Sequence, residues 1–140
     1  MRTIMCAVDG SPGAAEAVRV AAALRQSLGL RLVLTHVADG YRLPDGPAGI
    51  SGVKAQEGAE RLLERVAREH GIDGDADRRA EVGDRVQELA RVAHEEAAAL
   101  IVVGARRQGR RGRRLLSGLA AGLTGISSCP VVVVPPPARR

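Results

Sequence analysis

The strongest constraint on the fold is a set of short, nearly unbroken apolar runs that alternate with stretches of helical spacing. Thr3-Ile4-Met5-Cys6-Ala7-Val8, Leu32-Val33-Leu34-Thr35-His36-Val37, Leu100-Ile101-Val102-Val103 and Val131-Val132-Val133-Val134 are such runs. Strands apolar on both faces belong in a parallel sheet covered on both sides. A fifth segment, Ala76 to Val82, alternates weakly and carries Arg78, Arg79 and Glu81. Charges of that kind mark an edge strand, where they discourage stray pairing.

Helical signals fill the gaps. Ser11 followed by Pro12 predicts an N-cap with proline at the first helical position. Ala14, Val18, Ala21 and Leu28 form the inward stripe of that helix, and Gly29 stops it. Ala59, Leu62, Leu63, Val66 and Ala67 give a second amphipathic helix, ending near Gly71. Asp84 and Gln87 have capping-box spacing ahead of a stripe at Val86, Leu89, Ala90 and Ala93. Leu119, Leu123 and Ile126 mark a fourth helix. Asp39 to Gly52 has glycine, proline and no clear period, and is predicted as a loop over the sheet. Pro135-Pro136-Pro137 ends the last strand, because proline lacks the amide donor.

Strand and helix thus alternate from first to last, and right-handed crossovers make the strands parallel. The prediction is a three-layer α/β fold: an open parallel five-stranded sheet with helices on both faces. A chain of 140 residues suffices for one such domain, assigned to residues 1–137, with a short basic tail at 138–140. Phe and Trp are absent and Tyr41 is the one aromatic, so the core is expected to be almost wholly aliphatic.

Nothing at the first residues reads as a secretory signal, and no apolar run approaches a membrane span. Cys6 and Cys129 are expected as buried small hydrophobes in a reducing compartment, so the expected location is the cytoplasm, with no membrane partner. His36, His70 and His94 pair with no Cys, Asp or Glu at metal-ligand spacing, so no metal is assigned. No nucleophile-elbow pattern appears, and no catalytic residue is assigned. The net charge of +5 is a local feature. Arg106, Arg107, Arg110, Arg111, Arg113 and Arg114 fall in one stretch without an acid, and without them the rest of the chain would carry −1.

In an open parallel sheet, ligands bind beyond the carboxyl ends of the strands, where the strand order reverses. The usual order places the first and fourth strands side by side at that point. The loops that follow them are Asp9-Gly10-Ser11 and the segment from Gly104 to Ser117. Two readings of Asp9 stand open: its carboxylate accepts from an amine or hydroxyl of a ligand, or it orders the turn and caps the helix. The second loop suits an anion. Arginine forks, Gly104, Gly109 and Gly112, and Ser117-Gly118 at a helix N-terminus all favour phosphate oxygens. Against this stands the ordinary fate of a charge run, a solvated segment.

Ala7-Val8-Asp9-Gly10-Ser11, Leu34-Thr35-His36-Val37, Ile101-Val102-Val103-Gly104 and Ser128-Cys129-Pro130-Val131-Val132-Val133-Val134, taken together, resemble the universal stress proteins over essentially the whole chain. The resemblance implies a Rossmann-like sheet of order 3-2-1-4-5, of the adenine nucleotide alpha hydrolase-like kind. It also implies a homodimer through the last strand, Val131 to Val134, and a regulatory protein with little or no turnover. Members that bind ATP, with magnesium, resemble one another in a glycine motif: Gly, two residues, Gly, nine residues, then Gly followed by Ser or Thr. Here Gly104 matches, Arg107 replaces the second glycine, and Ser117-Gly118 inverts the final pair. A second register, Gly109, Gly112 and Gly122, reproduces the glycine spacing but starts too far beyond the strand and is set aside.

Carried over by position, Asp9 and Val37 would hold the adenine and ribose end, and Ala7, Gly10 and Ser11 would belong to the same nucleotide site. Gly104, Arg106, Arg107, Gly109, Ser117 and Gly118 would lie near the phosphates. The alternative is a universal stress protein that binds no nucleotide and acts as a module for protein partners of unknown identity. Nonspecific nucleic-acid association through the arginines is a third class, with nothing in the sequence for specific reading.

Overall fold

A computed structural model describes residues 2–40, 42–44, 46–108, 113–115 and 118–136, with the side chains of residues 42, 47, 106–108 and 113–115 excepted. The first unit runs from β1 (Thr3–Ala7) through α1 (Pro12–Leu28) to β2 (Arg31–Ala38). Ser11 caps α1 as its spacing requires, its hydroxyl accepting from the Ala14 amide at 3.2 Å. Gly29 ends the helix in the left-handed conformation that glycine adopts without strain.

The segment predicted as a loop instead contains a small hairpin, β3 (Arg42–Leu43) and β4 (Gly46–Pro47), and then α2 (Gly49–Glu69) begins. This helix starts three residues before the end of the expected loop. Its N-cap is Ala48, which has no side chain to bond the first turn, so no local signal announced it. Next come β5 (Ala76–Val82), α3 (Arg85–Glu95) and β6 (Ala98–Gly104). The arginine segment, expected as a loop, has extended backbone at both ends: β7 (Arg106–Gln108) pairs antiparallel with β8 (Arg113–Leu115), Arg107 opposite Arg114. Gly109 and Ser117 lie outside the described residues, as does the tail at 138–140. The chain then passes through α4 (Gly118–Ile126) to β9 (Val131–Val134).

The main sheet has the order β5-β2-β1-β6-β9 with every pair parallel, which is 3-2-1-4-5 when only its own strands are counted. Alternation along β1 divides the core. Ile4, Cys6 and Val8 pack with α1 and α2; Met5 and Ala7 pack with α3 and α4. The order reverses between β1 and β6, and both strands end there at the same side of the sheet.

Several stripe assignments need correction. Leu28 and Ile126 are 57% and 55% exposed. Each is the final residue of its helix, past the turns whose neighbours lie on the sheet. On α3 the buried residues are Glu88, Leu89, Val92 and Ala93, so Val92 takes the central place and Val86 and Ala90 flank it. Among the described residues no helix is long and apolar enough to cross a membrane.

Candidate functional site

A cleft of about 390 Å³ opens at the carboxyl ends of β1, β2 and β6, under the N-terminal ends of α3 and α4. Of the residues singled out by sequence, Ala7, Asp9, Ser11, Val37, Gly104 and Gly118 line it. Gly10 does not; its φ of +79° makes the turn, and a Cβ there would meet Leu62 on α2. Arg106 and Arg107 continue the chain just past the cleft as part of β7.

Asp9 serves the turn. Its Oδ1 accepts from the Ser11 amide at 2.9 Å, so the carboxylate sets the bend between β1 and α1 from the wall of the cleft. His36 closes the next strand end: its Nδ1 donates to the Val8 carbonyl at 2.6 Å, which fixes a proton on that nitrogen. At the far wall, Asp84 caps α3 by accepting from the Gln87 amide at 2.9 Å. Arg85 reaches Asp39 at 3.8 Å across the rim, a loose pair whose carboxylate is 87% exposed.

Gly104 has a second reason to be glycine. A Cβ on it would fall on the carbonyl of Gly13 and 2.9 Å from the Ala14 nitrogen. A Cβ on Gly13 would in turn stand 2.8 Å from the Ala105 carbonyl oxygen. The end of β6 and the first turn of α1 therefore touch backbone to backbone. Gly118, by contrast, has open space where a side chain would stand.

Sequence reading missed Thr35, His36, Asp39, Asp84 and Arg85 as cleft residues. For Thr35 and His36 a signal existed: they are the polar interruption in an apolar strand run beside the reversal point. Thr35 is wholly buried, and its Oγ1 has no hydrogen-bond partner. Asp84 and Arg85 are brought in by the start of the long crossover from β5 to β6, and Asp39 by the carboxyl end of β2, placements that local spacing does not reveal. With Asp9, Asp39 and Asp84 against Arg85, the described lining leans acidic. In the chain, Arg106 and Arg107 follow Gly104 in β7.

Outside the cleft, an ion network fixes α3 to the sheet. Glu96 accepts from Arg31 at 2.7 Å and from Arg79 at 3.1 Å. Glu95 accepts from Arg79 at 2.9 Å and from Arg91 at 2.7 Å. Arg91 also bonds Glu88 and Glu81. The hydrogen bond from Arg31 holds the Glu96 carboxyl below the usual range, and that from Arg79 does the same for Glu95. Cys6 is different: burial pushes its thiol up to about 12, so it is packing material rather than a nucleophile. Among the described residues, no three His, Cys, Asp or Glu side chains gather as a metal would need.

The sequence profile of the universal stress protein family matches residues 1–135. A universal stress protein family member from Burkholderia pseudomallei is 28% identical, with a TM-score of 0.69 and 95% of each chain covered. A universal stress protein in complex with cAMP is 26% identical, with a TM-score of 0.68 and 95% of each chain covered. The Archaeoglobus fulgidus universal stress protein in complex with dAMP shares the fold at 19% identity, with a TM-score of 0.67, 96% of this chain and 98% of that chain covered. No relative was found among the curated proteins.

Proposed function

The chain belongs to the universal stress protein family, and on that premise we propose that it is a regulatory protein that binds an adenine nucleotide at the carboxyl ends of β1 and β6. The observation that carries this reading is the cleft itself. It stands at the reversal point of a doubly wound sheet, its volume suits a small ligand, and it holds a buried hydroxyl without a protein partner. Two solved relatives of the same fold, in complex with cAMP and with dAMP, support the choice of nucleotide.

In this reading Ala7, Asp9, Ser11 and Val37 surround the nucleoside, with Asp9 and Ser11 fixed by the turn that Gly10 forms between them. The acidic lining turns the phosphates away from Asp39 and Asp84, toward Gly104, Gly118 and the arginines beyond. Arg106, Arg107, Gly109 and Ser117 then supply the phosphate end, Arg107 giving a charged fork where the glycine motif would give bare amides. Bound ATP with magnesium would supply a regulatory signal rather than a reaction. The protein is assigned to the cytoplasm, where Cys6 and Cys129 remain thiols, and residues 1–137 act as a single domain.

Arg107 at the second glycine position favours one competing reading, a module that recruits protein partners and binds no nucleotide. Titration calorimetry with ATP and magnesium separates the two. Saturable heat at micromolar concentrations is the expected result; no heat with ATP, AMP or cAMP, from protein that carries no nucleotide through purification, rejects the nucleotide reading in favour of the other.

A further inference from the structure

We propose that the Thr35 hydroxyl reads the deep end of the ligand's base and makes the cleft selective for purine over pyrimidine nucleotides. The proposal rests on the nucleotide reading of this cleft and goes beyond it, because Thr35 belongs to neither the turn nor the glycine motif.

Its place in the sheet carries the argument. Thr35 stands beside Ala7 in the register of β1 and β2, on the face that packs against α3 and α4. The other β2 residue of that face at the cleft, Val37, is apolar, and so are Leu89 and Val103 across it. A valine would match Thr35 in shape and suit a buried strand better. Instead the strand buries a hydroxyl with no partner, which costs stability in an otherwise apolar layer. An uncompensated polar group at the floor of a cleft is explained when a ligand supplies the missing bond. The methyl of Ala7 leaves the floor beside it low.

Depth sets the selectivity. Thr35 lies two residues below Val37 along the strand, about 7 Å. A two-ring base anchored at the Val37 rim spans that depth, whereas a one-ring base ends short of the floor. A hydroxyl both donates and accepts, so it can meet a purine edge with either polarity. It selects for reach and does not separate adenine from guanine.

The test is Thr35→Val, measured by thermal unfolding without ligand and by titration with ATP and with CTP. The unliganded variant is expected to melt at or above the parent temperature, since the unpartnered hydroxyl is gone. Its affinity for ATP is expected to fall about five- to tenfold, the effect of one neutral hydrogen bond, and that for CTP by less than twofold. Thr35→Ser should recover most of the ATP affinity even where it melts lower. ATP affinity within twofold of the parent, or equal loss for ATP and CTP, overturns the proposal while leaving the nucleotide reading intact. A lower melting temperature in Thr35→Val also overturns it, because the hydroxyl then had a partner in the protein. If the parent binds neither nucleotide, both readings fall together.

Discussion

Gly104 and Gly13 meet where the strand that ends at the cleft passes the helix that begins there, and neither position leaves room for a methyl group. Backbone cannot move aside as a flexible side chain can. Gly104→Ala is therefore expected to destabilise the fold by about 1–3 kcal/mol, the usual range for overpacking. Gly118→Ala, with nothing near its Cβ, should change stability by less than about 0.5 kcal/mol. Urea denaturation of the two variants checks the contrast, and equal midpoints would remove the packing argument. At this scale the sequence was only half readable. Spacing marked Ser11 as a cap and Asp9 as a turn or ligand residue, and the turn bond from Ser11 is present. The contact between Gly104 and Gly13 was invisible, because it joins residues 91 positions apart through backbone atoms that every residue carries.

The arginine–glutamate network ties α3 to the edge strand β5 and to the start of β2, and so holds one wall of the cleft in place. Glu95 and Glu96 both have lowered carboxyl pKa values in the fold. A depressed folded pKa contributes stability that is fully present above the ordinary value near 4.5 and is lost as pH falls through the lower folded value. The melting temperature should thus hold above pH 5 and drop progressively below 4.5. Glu96→Gln should cost about 1–2 kcal/mol at pH 7, and the gap to the parent should close near pH 3. An undiminished gap at low pH would mean that the charge is not what matters. Legibility follows from the same physics. Strands and most helices showed in local periodicity, whereas α2 starts without a capping side chain and Glu96 finds Arg31 across 65 positions.

For the molecule as a whole, the two edges of the sheet are unlike. The β5 edge carries Asp77, Arg78, Arg79 and Glu81, but β9 is four valines, of which Val131, Val132 and Val133 are only partly buried. A bare apolar edge invites pairing, and a twofold antiparallel match with a second copy would satisfy it. We propose that homodimer, through Val131 to Val134, as the resemblance to the family implies. Light scattering at micromolar concentration should return twice the 14.6 kDa chain mass; a monomer would count against it. The strand order and the aliphatic core were open to sequence reasoning, since both rest on where apolar residues recur. The shape of the cleft was not, because it is assembled from three strand ends and two helix ends.

The sheet order also governs how the chain is made. β1 is synthesised before the other strands, yet it ends at the centre of the sheet, with β2 on one side and β6 on the other. Thr3 meets Arg31 early but pairs with Ala98 only after some 95 further residues exist. At ordinary synthesis rates that interval lasts about 5–20 s. Throughout it, a strand apolar on both faces stands with one side unpaired, and the half-made chain is at its most adhesive. The central position that gives the finished cleft its floor is thus the same one that makes the nascent protein depend longest on protection from its neighbours.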